Sequence, residues 1–513
     1  MADALVIIEA PGKRAALSDV LWRAGVRDCE VLATVGHIAA NPNGLRPLEI
    51  TSSFRETAYA IREDRREVVA RIREAAQDAA RIYLATDDDQ EGDVIARDVL
   101  YMAIAPEDRA RVRRVRLRSL SPSEVTAALD GAAPFDPLAA AKGDARRILD
   151  RMIGALSSAE GAVGRVQGSL LLALAQQKPV LGVMTYLASA DDGGADWVAQ
   201  VPVYSDTPMV DAERFDVGMA GGTSHEATLA TRPLNYGEIV LSASLETEAT
   251  PREVARAMQS LYERGQLTYP RSSAQALSPE SARRLEIMAQ MNGADFDARR
   301  FAAVRGGAPE IEHGHEAPNP AVLDVPLNRQ AELLTLEEQV LVHVARHLVD
   351  CGLRCRLEQP AFGELKRLPA GLEGLQWHRR AEIGQRFYES AEPVAGLRAW
   401  TAQQSLLQMM QKNRLGRPST LVEHVDKFAA RGLVDAGLEL TAKGRAWFAN
   451  VDQLFGHQNL ARLVEEYLDV HRESAPLMVA DMVSKFGIAL GEASGVPLEQ
   501  EFDDEQTNTV SGV

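Results

Sequence analysis

Apolar and charged positions along the first 120 residues alternate between the spacing of strands and that of helices. Compact apolar runs predict strands at 4–8, 29–38, 81–85 and 112–120. Charged stretches in which Ala, Val and Ile recur every three or four residues predict helices at 63–79 and 94–102. Strands that alternate with helices favour a mostly parallel sheet, with functional residues at the carboxyl ends of the strands.

The remainder of the chain has a different pattern. Helical spacing dominates residues 123–180, and residues 198–240 alternate as in β-structure. Thr250 and Glu253 form a predicted capping box for a helix that ends near residue 264. A short strand is predicted at 266–269, a helix at 331–350, and a helix, turn and β-wing at 415–450. The pattern therefore predicts a multidomain chain of α/β and α+β parts.

Composition narrows the class of protein. The 513 residues are enough for roughly three to four domains. The net charge of −17 excludes a protein that coats nucleic acid through overall charge, although a local basic groove remains compatible with it. No run of eighteen apolar residues occurs, and three cysteines are too few for a disulfide framework or two paired zinc sites. We expect a cytoplasmic protein that neither spans a membrane nor binds zinc.

The acidic segment 87–93 is the strongest chemical signal. In an extended loop, Asp87, Asp89 and Glu91 would point to one side, as hard oxygen ligands for Mg²⁺, with Mn²⁺ as a substitute. Two alternatives remain: a solvated acidic turn, and a calcium-binding EF-hand loop with Asp98 at its twelfth position. The apolar strand before the segment favours a metal site at a strand end, since an EF-hand needs a helix there.

Two residues at the end of the first strand extend this predicted site. A parallel sheet would bring Glu9 beside the acidic segment, and Lys13 follows the turn residues Pro11 and Gly12. Phosphoryl transfer needs a metal, a proton donor and a cation around one phosphate. This grouping therefore favours phosphoryl-transfer chemistry.

A series of ordered motifs resembles those of the type IA DNA topoisomerases. IEAPGK at 8–13, ATVGHI at 33–38 and ATDDDQEG at 85–92 are similar to the Toprim domain of that family. ARRILDRMIGALSS with GRVQGSLL at 145–171 resembles its helical gate region, and GQLTYPRSS at 265–273 its nucleophilic segment. HEAPNP at 315–320 and LGRPSTLVEHVDKFAARGLV at 415–434 resemble two later motifs.

The resemblance implies roles for individual residues. Tyr269 would be the nucleophile, Arg271 would stabilise the phosphate, Lys13 would protonate the leaving 3′-oxygen, and Glu9 would assist religation. Asp87, Asp89 and Glu91 match the metal-binding acids. The implied DNA-binding residues are His315, Arg417, Arg146, Arg147, Arg151, Arg165, Gln167 and His37. A second group of arginines, between residues 111 and 118, is either a solvated face or a further DNA contact.

The resemblance also implies an architecture. A Toprim α/β domain, a helical winged-helix-like domain and β-rich arches would form a toroidal clamp. The expected bounds are 1–135 for the Toprim domain, 136–190 with 396–490 for the helical domain, 191–245 with 346–395 for the arches, 246–345 for the tyrosine domain, and 497–513 for an acidic tail.

The implied activity is ATP-independent passage of one DNA strand through a transient break in another, with relaxation or decatenation as the result. Single-stranded DNA and negatively supercoiled duplex would be its substrates, and a nucleoid-associated monomer its form. Gln90, Ser273 and Asn319 depart from charged residues that are usual in the family. These departures keep two alternatives open: a Toprim nuclease, and an accessory protein that binds single-stranded DNA with weakened catalysis.

Overall fold

The structure is a computed structural model. The residues it describes are 3–45, 47–117, 120, 122–156, 163–190, 196–207, 214–219, 221–299, 301, 316–360, 374–382 and 393–488. The predicted contact of His315 with DNA and the predicted tail at 497–513 therefore lie outside the described residues.

An all-parallel four-stranded sheet forms the first domain, with the order β2–β1–β5–β6. In chain order, the strands of this region and of a small hairpin beside it are β1 Ala4–Ile8, β2 Cys29–Ala33, β3 Ala39–Ala40, β4 Ala60–Ile61, β5 Arg81–Leu84 and β6 Val112–Arg114. The helices around the sheet are α1 Arg14–Arg23, α2 Arg66–Asp78, α3 Gln90–Asp98 and α4 Pro122–Asp130.

Strand β1 lies at the centre of the sheet because it is apolar on both faces. Leu5 and Ile7 pack into one hydrophobic cluster, while Val6 and Ile8 pack into a second cluster on the opposite face. Successive side chains of a strand point to opposite faces, so a continuous apolar run suits a strand that is covered on both sides. Glu9 therefore emerges at the carboxyl edge of a rigid strand.

Helices from distant parts of the sequence build the largest core. They are α5 Ala141–Leu156, α6 Arg165–Gln176, α7 Tyr236–Glu246, α8 Pro251–Glu263, α9 Pro279–Met291, α10 Leu336–Asp350, α11 Ala402–Lys412, α12 Leu421–Ala430, α13 Ala442–Phe455, α14 Leu460–Val470 and α15 Ala475–Lys485. One continuous cluster of buried side chains draws on all of these helices. Capping boxes begin four of them, among them the predicted box of Thr250 and Glu253 on α8.

Two mainly antiparallel sheets connect segments that are far apart in sequence. Their strands are β7 Gly182–Ala190, β8 Trp197–Val203, β9 Arg214–Met219, β10 Gly221–Thr228, β11 Arg354–Pro360, β12 Arg379–Glu382 and β13 Gly396–Ala399. Strand β13 pairs with β7, and β11 pairs with β10. These pairings return the chain to earlier segments, as discontinuous domains require, and the proposed domain bounds remain a prediction.

The structure corrects several predicted elements. Residues 236–246 are helical although β-structure was expected as far as 240, because Asn235 caps a helix whose apolar side chains enter the large core. Residues 266–269 form a single bridge, from Leu267 to Pro320, in place of a strand. The spacing of Cys351 and Cys355, four apart, predicts core residues of a helix; both are buried, but Cys351 caps the end of α10 and Cys355 lies on strand β11. Among the described residues, no helix combines the length and apolarity needed to cross a bilayer.

Candidate active site

The acidic segment is a tight turn that becomes a helix. Asp89 caps helix α3, and its Oδ1 accepts a hydrogen bond from the Gly92 N–H at 2.7 Å. The Thr86 hydroxyl donates to the carbonyl of Gly92 at 2.6 Å. A Cβ atom on Gly92 would lie 2.0 Å from the carbonyl oxygen of Asp87, so this turn requires glycine.

This geometry corrects the predicted extended loop. Glu91 belongs to the first turn of α3 and not to an extended loop, and its carboxylate contacts His37 and Arg417. The EF-hand alternative is excluded, since strand β5 precedes the segment and residues 90–98 are helical. The solvated turn is excluded as well, because Asp87 and Asp88 are buried.

A buried arginine that sequence reasoning misassigned holds the turn in place. Arg114 donates to the carbonyls of Leu84, Thr86 and Asp87 at 2.8–3.0 Å and to the carboxylate of Asp93 at 3.0 Å. The arginines between 111 and 118 are predicted to be either a solvated face or a DNA contact, but the side chain of Arg114 is only 4% exposed and fits neither role. It satisfies backbone oxygens that would otherwise be buried without partners.

Lys13 lies within the same site as a buried cation. It ends the short 3-10 turn Pro11–Lys13, forms an ion pair with Asp87, and has its Nζ 4.3 Å from the ring centre of Tyr262. Burial lowers the pKa of Lys13, but the charge of Asp87 outweighs it, and the pKa lies above the ordinary value. Lys13 is therefore a charged proton donor.

Glu9 has the opposite electrostatic environment. Burial raises the pKa of Glu9, the carboxylates of Asp87 and Asp89 raise it further, and Lys13 and Arg271 oppose them. The resulting pKa is about 7. Glu9 therefore exchanges a proton near neutral pH, as expected of a group that acts in acid–base chemistry.

Tyr269 meets this cluster from another domain. Its hydroxyl donates to Asp89 Oδ2 at 2.7 Å, and its ring lies edge-on to Tyr262 with 5.5 Å between the centroids. Burial, followed by the charges of Asp89 and Asp87, raises the pKa of Tyr269 well above its ordinary value. The phenol is therefore protonated at rest, and its oxygen is 2.7 Å from a carboxylate that can accept the proton.

Opposing effects act on the other two groups of this cluster. Burial raises the pKa of Asp89, but Arg417, the Tyr269 hydroxyl and the Gly92 N–H outweigh it, and the net shift is downward. Burial lowers the pKa of Arg271, whereas its neighbours Tyr269 and Asp87 raise it, and the net shift is upward. Asp89 is therefore an anion and Arg271 a cation beside the phenol.

Glu91 faces a second group of cations. Its carboxylate lies 3.1 Å from His37 Nε2, 3.4 Å from Arg417 Nη1 and 3.9 Å from Arg146 Nη1. Burial raises the pKa of Glu91, but the hydrogen bond from His37 and the charge of Arg417 lower it overall. For His37, burial lowers the pKa and the Glu91 contact reverses the shift.

The segment that carries His37 has an unusual backbone. Val35 has a φ of 58° and Gly36 a φ of 82°, although a β-branched residue rarely adopts the left-handed region. The Val35 N–H donates to the carbonyl of Glu9 at 3.0 Å. Strained residues of this kind cluster at functional sites, and here the hydrogen bond to Glu9 ties the segment that carries His37 to the end of strand β1.

A cavity of about 570 Å³ opens beside Glu91. Six of the residues predicted to bind DNA line it: His37, Arg146, Arg147, Arg151, Arg165 and Arg417. Gln167 is buried on α6, and its Oε1 has no hydrogen-bond partner among the described residues. The structure thus brings six of the eight predicted DNA-binding residues to one cavity.

Several of these arginines are already bound within the protein. Glu465 accepts hydrogen bonds from Arg146 and Arg165, and these cations outweigh burial to lower its pKa to about 2. Arg147 forms a two-pronged ion pair with Glu56, whose carboxylate oxygens it contacts at 2.9 and 2.6 Å. Arg151 donates to the carbonyls of Pro42, Gly44 and Leu48. Glu465 carried no sequence signal.

Gln90 contributes to the same network. Its Oε1 accepts a hydrogen bond from Arg146 Nη2 at 2.8 Å. An arginine at this position, as the family resemblance implies, has no acceptor atom and could not make that contact. Gln90 lacks the positive charge that the resemblance implies at this position, but its hydrogen-bond partner Arg146 supplies a positive charge at the cavity.

The predicted metal ligands are not gathered in one cluster. Among the residues that the structure describes, no three His, Cys, Asp or Glu side chains are placed to hold one metal ion. Asp87 is paired with Lys13, Asp89 accepts two hydrogen bonds, and Glu91 contacts His37. The site therefore does not fit a metal held by protein ligands alone. The proximity of Asp87 and Asp89 does suit Mg²⁺, which binds through one or two carboxylates together with phosphate and water.

Comparisons with known proteins agree with this description. Residues 4–120 match the family model of the Toprim domain. A plasmid DNA topoisomerase I of Xylella fastidiosa is 26% identical over 63% of this chain and 51% of its own length. DNA topoisomerase 1 of Aquifex aeolicus is 21% identical over 84% of this chain and 87% of its own. The chain spans about half the length of the Xylella protein and 42% of a mimivirus topoisomerase.

The fold comparison covers more of the chain. Full-length topoisomerase I from Thermotoga maritima superposes with a TM-score of 0.65 at 15% identity, over 94% of this chain and 89% of the other. The predicted fold class, multidomain with an N-terminal Toprim α/β domain, is confirmed. The chain has a Toprim domain within the fold of a bacterial topoisomerase I, and its predicted resemblance to the type IA DNA topoisomerases is confirmed.

Proposed function

We propose that this protein is an ATP-independent type IA DNA topoisomerase. The observation that carries the proposal is the contact between the Tyr269 hydroxyl and Asp89, 180 residues apart in sequence, at the carboxyl edge of the Toprim sheet. The nucleophile Tyr269, the proton donor Lys13 and the phosphate-binding cation Arg271 would then lie around a single reacting phosphate. That set is what transfer of a phosphoryl group to a phenol requires.

Cleavage would exchange one phosphoester for another. The Tyr269 oxygen bonds to the phosphorus of one DNA strand, and its proton passes to Asp89, which already accepts its hydrogen bond. The bond from phosphorus to the 3′-oxygen breaks, and Lys13 protonates that oxygen. The product is a 5′-phosphotyrosyl link and a free 3′-hydroxyl, so the reverse reaction needs no ATP.

Glu9 is proposed to act in religation. With a pKa of about 7 it can accept the proton of the attacking 3′-hydroxyl, while Arg271 holds the phosphate. The Tyr269 oxygen then recovers its proton from Asp89. The proton that Glu9 has accepted then passes to Lys13, which gave it to the 3′-oxygen during cleavage, so both groups return to their starting protonation states.

Mg²⁺, with Mn²⁺ as a substitute, is proposed as the cofactor. Asp87 and Asp89 would hold it together with water and a DNA phosphate, and Glu91 would remain with His37. When bound, the ion would neutralise negative charge between DNA and the acidic turn. Lys13 would then have to exchange its ion pair with Asp87 for a contact with DNA.

Single-stranded DNA and negatively supercoiled duplex are the proposed substrates, and the cavity beside Glu91 is the proposed path of the strand. Arg146 and Arg417, both in its wall, would bind phosphates as they exchange partners with Glu465 and Glu91. We propose that the protein acts as a monomer on cytoplasmic DNA.

The test is relaxation of negatively supercoiled plasmid with Mg²⁺ and without ATP. Wild type is expected to relax the plasmid stepwise and to form a covalent adduct at the 5′ end of the break. Tyr269→Phe, which removes only the attacking oxygen, should do neither. Tyr186→Phe is the matched control, because Tyr186 is also buried but lies on strand β7.

Two outcomes would overturn the proposal. Nicking that persists in Tyr269→Phe would identify a Toprim nuclease, since a metal-dependent nuclease does not need the phenol. A folded wild type that binds single-stranded DNA but forms no adduct would identify an accessory protein.

A further inference from the structure

Asn319 is buried behind the nucleophile segment. It is 2% exposed, and Thr268, which immediately precedes Tyr269, is 3% exposed. The Thr268 N–H donates to the Asn319 carbonyl at 2.9 Å, and the Asn319 N–H donates to Thr268 Oγ1 at 3.0 Å. The side-chain Nδ2 of Asn319 donates to the same hydroxyl oxygen at 3.3 Å. Thr268 is therefore held by both the backbone and the side chain of Asn319.

Neighbouring contacts fix the Asn319 amide itself. Its Nδ2 donates to the Ala317 carbonyl at 2.9 Å, and its Oδ1 accepts from Arg284 Nη2 at 3.1 Å. Arg284 also donates to the Pro320 carbonyl at 2.9 Å and to the Ser281 hydroxyl at 2.7 Å. A carbonyl only accepts and a guanidinium only donates, so these partners determine which way the amide faces.

The residue type at 319 is coupled to Arg284. The family resemblance implies arginine at 319, but a second guanidinium there could not accept from Arg284, and the two cations would repel each other in a buried site. An asparagine can accept from Arg284 and donate towards Thr268 simultaneously. Arg284 thus places a positive charge beside Asn319, the position at which the resemblance implies an arginine.

We infer that Asn319 is a positioning residue for the proposed cleavage reaction. It acts through Thr268, which it ties to the segment 316–321, and so fixes the backbone from which Tyr269 reaches Asp89. The hydrogen bond of Ala321 N–H to the Gln266 carbonyl, at 2.9 Å, joins the same two segments. The inference rests on the proposed function, because it assigns Asn319 an effect on the attack by Tyr269.

The experiment measures single-turnover formation of the covalent adduct on a single-stranded oligonucleotide, together with binding of that oligonucleotide by fluorescence anisotropy. Asn319→Ala and Thr268→Val should each slow adduct formation by about 10²-fold, the cost of a misplacement of roughly 1 Å. Oligonucleotide affinity should change less than about twofold, because neither residue lines the cavity. The double variant should be slowed by much less than the product of the two single effects, because both changes remove the contact between Asn319 Nδ2 and Thr268 Oγ1.

Two further variants test whether the effect is specific. Thr268→Ser retains the hydroxyl and should recover most of the rate lost in Thr268→Val. Asn292→Ala is the matched control, because Asn292 lies in the same domain and its side chain donates to Met288 of its own helix. Asn319→Arg should be slow in the presence of Arg284 and should recover when combined with Arg284→Ala.

The possible failures are distinguishable. An Asn319→Ala variant that forms the adduct at the wild-type rate would overturn the inference and leave the proposed function intact. Equal losses of rate, affinity and thermal stability would also overturn it, since they indicate a purely structural role. A wild type that forms no adduct would instead contradict the proposed function.

Discussion

At the scale of single residues, Glu9 shows how the site is tuned. Burial and two neighbouring carboxylates raise its pKa from 4.5 to about 7, although Lys13 and Arg271 lie nearby. The folded protein thus holds a proton between pH 4.5 and 7 that the unfolded chain has released. The stability that this proton contributes is fully present below pH 4.5 and is lost as the pH rises through 7.

Glu9→Gln is therefore expected to stabilise the protein at alkaline pH. At pH 8 the free energy of unfolding should rise by up to about 3 kcal/mol, because the amide has no charge to bury. At pH 4.5 the gain should vanish. Urea denaturation at both values, with Glu107→Gln on an exposed turn as control, checks this. Equal effects at the two pH values would contradict the assigned pKa.

Residue identity alone predicted only part of the site. Glu9, Lys13 and Asp87 could be grouped from sequence, because the ends of neighbouring parallel strands meet at one edge. Tyr269 could not be placed in this way, since its contact with Asp89 depends on packing between domains, and only its motif indicated it. Partners such as Glu465, and the burial of Arg114, had no sequence signal because they depend on the tertiary arrangement.

At the scale of elements, the sequence predicted the structure well where its local signals did not conflict. The buried strand β1 and the capped helix α8 agree with prediction because apolar spacing and capping point to the same structure. The acidic segment was misread because Asp89 is both a predicted metal ligand and the N-cap of α3. Helix α7 was missed because its residues are apolar on most sides, which hides the helical period.

Gly92 allows the acidic turn to adopt its shape, and Gly92→Ala should disrupt the turn. A Cβ atom 2.0 Å from the Asp87 carbonyl must displace the turn that carries Asp87 and Asp89. We expect adduct formation to slow by about 10²-fold, and stability to fall by about 1–3 kcal/mol. Rapid-quench kinetics and thermal unfolding measure the two effects. Gly437→Ala, where a Cβ meets only ordinary contacts, is the control. A normal rate in Gly92→Ala would contradict the assigned role of the turn.

At the scale of the whole molecule, the net charge of −17 contrasts with a cavity rich in arginine. The acids Glu91, Asp150 and Glu465 in the same wall balance these cations in the free protein. DNA on the proposed path would have to displace these acids from the arginines before it could bind. We therefore expect weak binding of single-stranded DNA that falls steeply with salt.

Arg417→Gln tests this expectation. The change should weaken the binding of single-stranded DNA of any sequence, and should reduce the slope of log affinity against log salt by about 0.7 if one phosphate contact is lost. Arg462→Gln, on an exposed helix face where Arg462 pairs with Glu466, should leave the slope unchanged. Anisotropy titrations over a range of salt concentrations measure both slopes. An unchanged slope in Arg417→Gln would remove Arg417 from the DNA path.

The contact between Tyr269 and Asp89 also has a consequence for the safety of the genome. The proposed cleavage reaction consumes no external energy, so a protein that carries it out needs a structural restraint against unwanted DNA breaks. In the free protein the Tyr269 hydroxyl is protonated and donates a hydrogen bond to Asp89. Tyr269 as a whole is only 2% exposed. In the proposed reaction, a DNA strand could be cut only after this contact opens and the phosphate takes the place of Asp89 beside the Tyr269 hydroxyl. The contact with Asp89 would thus hold the proposed nucleophile in an unreactive state until DNA is bound.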